Sequence, residues 1–204
     1  MRWFFPIVLG GLICPQLAAQ ALRFQQITTE QGLSDNAVTC VFEDRAGFIW
    51  IGTQRGLNRY DGQRVETFTS QENGPRGVKI SSIAEDARGD LWITTVDGGL
   101  SRHDHVTDRF VQLPHDSLNV RSPPTDELNH VLVLNDSVLV LSSRGKGAIW
   151  YHLRNGMLLR RGFREPVTNA QGDTILSMAD HWVHAAFRLD ERRLLLTMLA
   201  SSGP

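Results

Sequence analysis

Apolar and polar residues alternate in short segments along most of the chain, the pattern of half-buried β-strands rather than of helices. Residues 38–69 contain four such segments, in order VTCVFED, FIWIGT, GLNRYD and RVETFT. Turn residues separate them: Asp44 and Gly47 bound the first turn, and Asp61-Gly62 is a two-residue hairpin signal. The pattern predicts a four-stranded antiparallel meander.

The meander occurs twice. The stretch DRAGFIWIGTQRGLNRYDG at 44–62 returns as DARGDLWITTVDGGLSRHD at 86–104, inside a second unit at 80–113. The repeat aligns four positions of each copy, which we expect to be structural: Asp44, Gly47, Trp50, Thr53 and Asp86, Gly89, Trp92, Thr95. Four strands in about 40 to 45 residues are the signature of a propeller blade.

Weaker copies follow. Residues 129–163 keep the four-strand rhythm but lose the second-strand Trp, and 182–204 start a fourth blade. Residues 23–27 match the last strand of the blades and predict a strand that closes the ring. The sequence therefore predicts an all-β fold, a β-propeller of four-stranded antiparallel blades over 22–204. The ring is predicted to be incomplete, as in an N-terminal fragment, because closure takes about four to eight blades.

The first 21 residues have the three parts of a secretory signal peptide. Arg2 supplies the charge, an apolar run extends from Trp3 to Cys14, and Ala19-Gln20-Ala21 forms the small-x-small ending. The run is shorter than the roughly 18 to 20 residues that span a bilayer. We expect cleavage near Ala21 and export of the rest.

The charge distribution and the motif content of the sequence argue against several classes of function. The net charge of −1 and the scattered basic residues give no footprint for nucleic acid. His103 and His105 lie two residues apart and would share a face of a strand, but a third metal ligand is missing. Phosphate-loop, zinc and nucleophile-elbow motifs are absent from the sequence. We therefore predict no catalytic residue, metal or cofactor for this chain.

The opening ITTEQGLSDNAV, followed by the two blade motifs, resembles the two-component regulator propeller repeat. The resemblance implies a periplasmic sensor region of a hybrid two-component histidine kinase of the kind found in Bacteroidota. It implies a carbohydrate or other nutrient-derived ligand, and signalling across the inner membrane. The expected partners are that ligand, the remaining blades and membrane-anchored signalling domains of the same protein, and a second copy of the sensor. A secreted propeller hydrolase or lyase, or a secreted interaction scaffold, are the alternatives.

Ligand recognition should reside where the repeats differ. In an antiparallel meander, the second-to-third-strand turns and the fourth-to-first-strand connections share one end of the sheets, and here those connections are long and unlike one another. The turns at this end offer side chains that could bond hydroxyls or a carboxylate: Gln54, Arg55, Asp97 and Arg144. We interpret Trp50 and Trp92 as plugs between blades rather than as platforms for sugars.

Overall fold

A computed structural model describes residues 25–70, 73–119, 121–153, 158–159, 167–168, 174–175, 182–190 and 193–199. The predicted signal peptide lies outside these residues. The described part is all-β, with a single 3₁₀ turn at Thr29–Gln31 ahead of the first strand. This confirms the predicted fold class.

Two complete meanders come first. Blade 1 contains β1 (Val38–Glu43), β2 (Ile49–Thr53), β3 (Leu57–Tyr60) and β4 (Val65–Phe68). Blade 2 contains β5 (Ile80–Glu85), β6 (Leu91–Thr95), β7 (Gly99–Asp104) and β8 (Arg109–Leu113). Each is a four-stranded antiparallel sheet in sequential order.

A third sheet and a hairpin follow. Blade 3 contains β9 (Leu128–Asn135), β10 (Val138–Ser143), β11 (Gly147–His152) and β12 (Leu158–Leu159). The short strands β13 (Val167–Thr168) and β14 (Thr174–Ile175) pair inside residues 164–180, which the sequence predicts to be one of the long connections. The last pair, β15 (Trp182–Arg188) with β16 (Leu194–Leu199), provides the first two strands of a fourth unit.

The predicted closing strand at 23–27 is only partly visible. Residues 25–27 carry no strand, and residues 23 and 24 lie outside the described part. Closure of the ring by this segment therefore stays a prediction.

The hydrophobic core lies between adjacent sheets. Trp50, Leu57 and Phe68 of blade 1 pack with Ile83 and Ile93 of blade 2. Equivalent clusters join blade 2 to blade 3, and blade 3 to the β15–β16 hairpin. Burying each large apolar side chain gains roughly 1.5–3 kcal/mol before the entropy of ordering is subtracted. Since each cluster takes residues from two sheets, neighbouring blades stabilise one another.

The two Trp side chains lie inside these clusters. Trp50 is 1% exposed and Trp92 4% exposed. The Asp of each repeat fixes its Trp: the Asp44 carboxylate accepts the Trp50 indole N–H at 2.7 Å, and Asp86 accepts that of Trp92 at 3.0 Å. The buried rings thus fill space between blades while their single polar atoms remain paired.

The same carboxylates also build the turns. Asp44 Oδ1 accepts the backbone N–H groups of Ala46 and Phe48, both at 3.0 Å. Gly47 then takes a positive φ of 87°, which a residue with a Cβ adopts only at a cost. One Asp therefore fixes the turn between the first two strands and the Trp in the second strand.

Candidate functional site

The candidate site is the loop end, the end of the sheets where second-to-third-strand turns and fourth-to-first-strand connections meet. In blade 1 the segment 32–37 packs onto this end. The Ser34 N–H donates to Asn58 Oδ1 at 2.9 Å, and the hydroxyls of Ser34 and Thr53 lie 2.8 Å apart. The hydrophobic anchor of the segment, Leu33, is buried.

Blade 2 repeats this attachment with different side chains. The Arg76 N–H donates to Ser101 Oγ at 3.1 Å, and Thr95 Oγ1 donates to the Arg76 carbonyl at 3.1 Å. The backbone N–H of Arg76 is therefore held as that of Ser34 is, but position 76 carries a guanidinium instead of a hydroxyl. The frame is shared, and the group that it presents differs.

A polar cluster connects this segment to the next connection. The Arg76 guanidinium lies 3.4 Å from the Asp126 carboxylate, which also accepts the His115 backbone N–H at 2.7 Å. The imidazole of His115 is within 2.8 Å of the Pro123 carbonyl. Sequence reasoning missed Ser34, Arg76 and Asp126. For Arg76 and Asp126 the available signal was their position in the long connections, and for Ser34 it was its position ahead of the first strand. Their pairing depends on tertiary contacts.

Of the four sequence-predicted residues, Gln54 and Arg144 occupy equivalent turn positions. The Gln54 N–H donates to the Ala37 carbonyl and the Arg144 N–H to that of Glu127, both at 3.1 Å. Each backbone group therefore closes a turn onto the connection that precedes its own blade. Both side chains are exposed.

Arg55 and Asp97 differ in how strongly they are engaged. Arg55 is mostly exposed and lies 3.3 Å from the Asp35 carboxylate. The Asp97 carboxylate instead accepts the N–H groups of Val78 and Lys79 at 3.1–3.3 Å. Asp97 thus has a structural partner, whereas Arg55 presents its charge to solvent. All four predicted residues lie at the loop end, on turns of three different blades.

Close backbone packing makes the loop end of blade 2 rigid. A Cβ on Gly98 would lie 2.4 Å from the Arg76 carbonyl, and one on Gly77 would lie 2.5 Å from an Asp97 oxygen. Real Cβ atoms essentially never come so close, so only Gly fits at either position. The backbones of residues 76–77 and 97–98 therefore lie in close contact at the loop end.

The opposite end of the sheets, the turn end, contains two shallow clefts. One of about 350 Å³ is lined by Phe48, Arg59, Asp61, Arg64, Val65 and Glu66. Another of about 310 Å³ is lined by Asp86, Ala87, Arg88, Asp136 and Leu153. In the first cleft Arg59 is engaged, 2.6 Å from Glu66 and 2.8 Å from Asp108 of blade 2. Arg64 is the more exposed guanidinium there.

Burial and hydrogen bonding compete at Asp86. Burial acts to raise the pKa of this carboxyl, but the hydrogen bonds from the Trp92 indole and two backbone N–H groups outweigh it and hold the pKa below its usual range. Asp86 is therefore ionised at neutral pH and serves as a buried acceptor.

The residues considered for a metal have other partners. His103 Nε2 lies 2.8 Å from Asp108, and His105 Nδ1 lies 2.9 Å from Asp90. Within the described residues there is no group of three His, Cys, Asp or Glu able to hold a metal ion. Among those same residues, no helix is long and apolar enough to cross a membrane.

Comparison with known proteins agrees with the repeat structure. The family model for the two component regulator propeller matches residues 32–55 and 74–97, which are two copies of the same unit. Histidine kinase P4 of Formosa agariphila is 34% identical over 73 residues, which cover 35% of this chain and 5% of the kinase.

One solved structure supports the fold. The extracellular domain of a candidate hybrid two component system from B. thetaiotaomicron superimposes with a TM-score of 0.71 at 23% identity, over 84% of this chain and 23% of that domain. A second such domain from this organism has a TM-score of 0.45 at 17% identity, over 79% of this chain and 25% of its own. The chain therefore spans less than a quarter of the first domain and one twentieth of the kinase.

Proposed function

From its two repeats of the two component regulator propeller family, we infer that this chain is part of the ligand-sensing input domain of a hybrid two-component sensor kinase. The kinase named among its relatives and the extracellular domain that shares its fold support this proposal. The ligand is a carbohydrate or another nutrient-derived molecule. The domain lies in the periplasm, and its anchor and kinase are further parts of the same protein.

The arrangement of the loop end supports a role in ligand recognition. The backbone N–H groups of Ser34 and Arg76 donate to equivalent side chains, Asn58 in blade 1 and Ser101 in blade 2. Position 34 carries a hydroxyl that bonds Thr53 and Asn58, whereas position 76 carries a guanidinium. A uniform frame with unlike polar groups suits a ligand with several hydroxyl or acidic groups, because each blade contributes a different donor or acceptor. Preorganised groups also bind with less entropy loss.

Binding would reach the kinase by population shift. A ligand that binds one arrangement of paired sensor domains more tightly than another shifts the equilibrium towards that arrangement. The free energy of this shift cannot exceed the difference between the binding free energies of the two arrangements. We propose that a second copy of the protein supplies the pair.

A substitution at each end of the sheets tests where the ligand binds. Arg55→Ala removes an exposed guanidinium from the loop end, and Arg64→Ala removes one from the turn end. Isothermal titration of the full-length protein with a panel of oligosaccharides should show weaker binding for Arg55→Ala and unchanged binding for Arg64→Ala. The reverse result would move the site to the turn-end cleft. The absence of binding by any member of the panel would count against a carbohydrate ligand.

Sequencing the gene tests the proposed signalling role. Translation beyond the codon for Pro204 should give further blades, a transmembrane helix and a histidine-kinase core. A stop codon soon after ring closure would instead leave a secreted propeller. Mass spectrometry of the mature N-terminus should find Leu22 as the first residue if export proceeds by the predicted cleavage.

A further inference from the structure

In the described blades, the first strand contains a bulged residue immediately after the residue that begins its pairing. In blade 1, Val38 pairs with Thr53 and Cys40 with Gly52, so Thr39 has no partner across the ladder. Register shifts at the same place make Ser81 the bulged residue of blade 2, Asn129 that of blade 3 and His184 that of the β15–β16 hairpin. A bulged residue is released from strand pairing, so its side chain can be aimed elsewhere.

Three of these side chains make the same contact with the next blade. Thr39 Oγ1 donates to the Ile80 carbonyl at 2.7 Å, and Ser81 Oγ donates to the Leu128 carbonyl at 2.7 Å. Asn129 Nδ2 donates to the Val183 carbonyl at 3.1 Å. We call this contact the bulge clasp.

The acceptors share one position, immediately before the bulge of the following blade. The three donors are a Thr, a Ser and an Asn, so the position in the fold is kept while the chemical group varies. The clasp therefore requires only a side-chain donor of suitable length.

The burial of first-strand residues shows which blade faces are covered by a neighbouring blade. Ile80, Leu128 and Val183, the three acceptor residues, are fully buried. Val38 occupies the same position in blade 1 and is 47% exposed. Ile83 of blade 2 is likewise 8% exposed, while its equivalent Val41 is 62% exposed. Among the described residues, blade 1 thus has an uncovered interface on the side away from blade 2.

The β15–β16 hairpin, which follows blade 3, has the features of a blade that donates a bulge clasp to the next one. The His184 side chain is exposed and makes no hydrogen bond within the described residues. Ala186 and Leu196 oppose each other and pack against blade 3. Phe187 and Leu195 also oppose each other, lie on the other face by strand alternation, and are about half exposed. The Phe187 ring also approaches that of His130 in blade 3, with the ring centroids 5.8 Å apart, so its remaining exposed part faces away from blade 3.

We propose that His184 is the donor of a fourth bulge clasp, to the first strand of a further blade of this protein. An imidazole N–H replaces the Asn129 amide, and Phe187 with Leu195 forms the apolar surface that the new blade covers. The occupant is a blade because the three preceding junctions are continuous with this one and have the same donor and acceptor positions. This inference rests on the proposed function in one respect, that the full protein contains more blades.

Hydrogen exchange followed by mass spectrometry tests the proposal on the full-length protein. His184→Ala should speed amide exchange in the first strand of the following blade about fivefold, the factor expected when one hydrogen bond of about 1 kcal/mol is lost. His184→Asn should restore protection, because Asn performs this role at position 129. Thr39→Val should have the same effect on Ile80–Glu85, and Ser117→Ala, in an exposed loop, should have none.

Each outcome of the exchange experiment either supports or overturns the proposal. Exchange as slow in His184→Ala as in the wild type, failure of His184→Asn to restore protection, or no blade encoded after Pro204 would overturn the proposal. Protection lost and regained as expected would support it whether or not the protein binds a carbohydrate, so the clasp and the sensor role can fail separately.

Discussion

Replacing Asp86 with Asn should disrupt the Asp–Trp unit of blade 2 while leaving its shape almost unchanged. One carboxylate oxygen accepts the N–H groups of Arg88 and Asp90 at 2.9 and 3.2 Å, and the other accepts the Trp92 indole at 3.0 Å. All of these partners are donors. An Asn side chain has one acceptor oxygen and one NH₂ group, so either amide orientation places a donor against a donor.

The size of the effect follows from burial. Asp86 is 1% exposed and Trp92 4% exposed, so water cannot replace the lost acceptor. Leaving a buried N–H unpaired costs about 1–3 kcal/mol, and a hydrogen bond to a charged group contributes about 1.5–3 kcal/mol. We expect Asp86→Asn to lower the free energy of unfolding by about 2–3 kcal/mol.

Urea denaturation monitored by far-ultraviolet circular dichroism measures this loss, with Asp136→Asn, at an exposed turn, as the matched control. Combining Asp86→Asn with Trp92→Phe should recover about 1–2 kcal/mol of the summed single effects, because the indole N–H is then absent. Additive single effects would refute the argument that the carboxylate acts through the indole.

The pH dependence gives a second test of the same unit. The pKa of Asp86 is lowered on folding, so its contribution to stability is present above the unfolded pKa of about 3.9 and is lost as the pH falls through the lower folded pKa. Below pH about 4 the wild type should lose stability more steeply than Asp86→Asn. Parallel profiles would contradict this.

Three further outcomes are expected. Asp108→Asn should lower the free energy of unfolding, measured by urea denaturation, by only about 0.5–1 kcal/mol, because the half-exposed carboxylate is screened by solvent and Asn tolerates the φ of 53°. The loss should be smaller at high salt. A loss that does not change with salt would argue against the Arg59 ion pair. Gly98→Ala should destabilise the protein by more than about 1 kcal/mol, as its Cβ would meet the Arg76 backbone, and a neutral result would contradict the close packing. Burial raises the pKa of the Cys40 thiol to about 11, so iodoacetamide at pH 8 should label it only after unfolding; rapid labelling of the folded protein would contradict this.

Local contacts were predictable from sequence because they depend on near neighbours. Asp44 bonds the turn that it begins, as its position before Ala46 and Gly47 predicted, and strand alternation indicated all four strands of blade 1. Its bond to the Trp50 indole was not predicted, although the constant spacing of Asp and Trp in both copies was the signal.

Contacts between connections could not be obtained in this way. Asp97 was selected as an exposed carboxylate in a turn, but it accepts backbone N–H groups of residues 78 and 79, which precede it by a whole hairpin. Ser34 and Arg76 align in the two repeats, but the bonds from their N–H groups to Asn58 and Ser101 are visible only in the structure. Sequence distance hides such pairs, because packing of the blade decides which loop residues meet.

The hydrogen bonds that build a blade are separate from the side chains at its loop end. The Asp–Trp unit is completed within a blade, and the bulge clasp needs only a backbone carbonyl from its neighbour, so neither depends on the side chains of the loop end. At the loop end, by contrast, the backbone N–H groups of Ser34 and Arg76 are held by Asn58 and Ser101 while the side chains at positions 34 and 76 differ. Exchanging Arg76 for Ser should therefore change recognition and remove the ion pair with Asp126 with little loss of stability, because exposed pairs contribute about 0–1 kcal/mol. Titration with oligosaccharides and urea denaturation of this one variant would separate the two effects, and a large stability loss would show that the frame and the ligand surface are not independent.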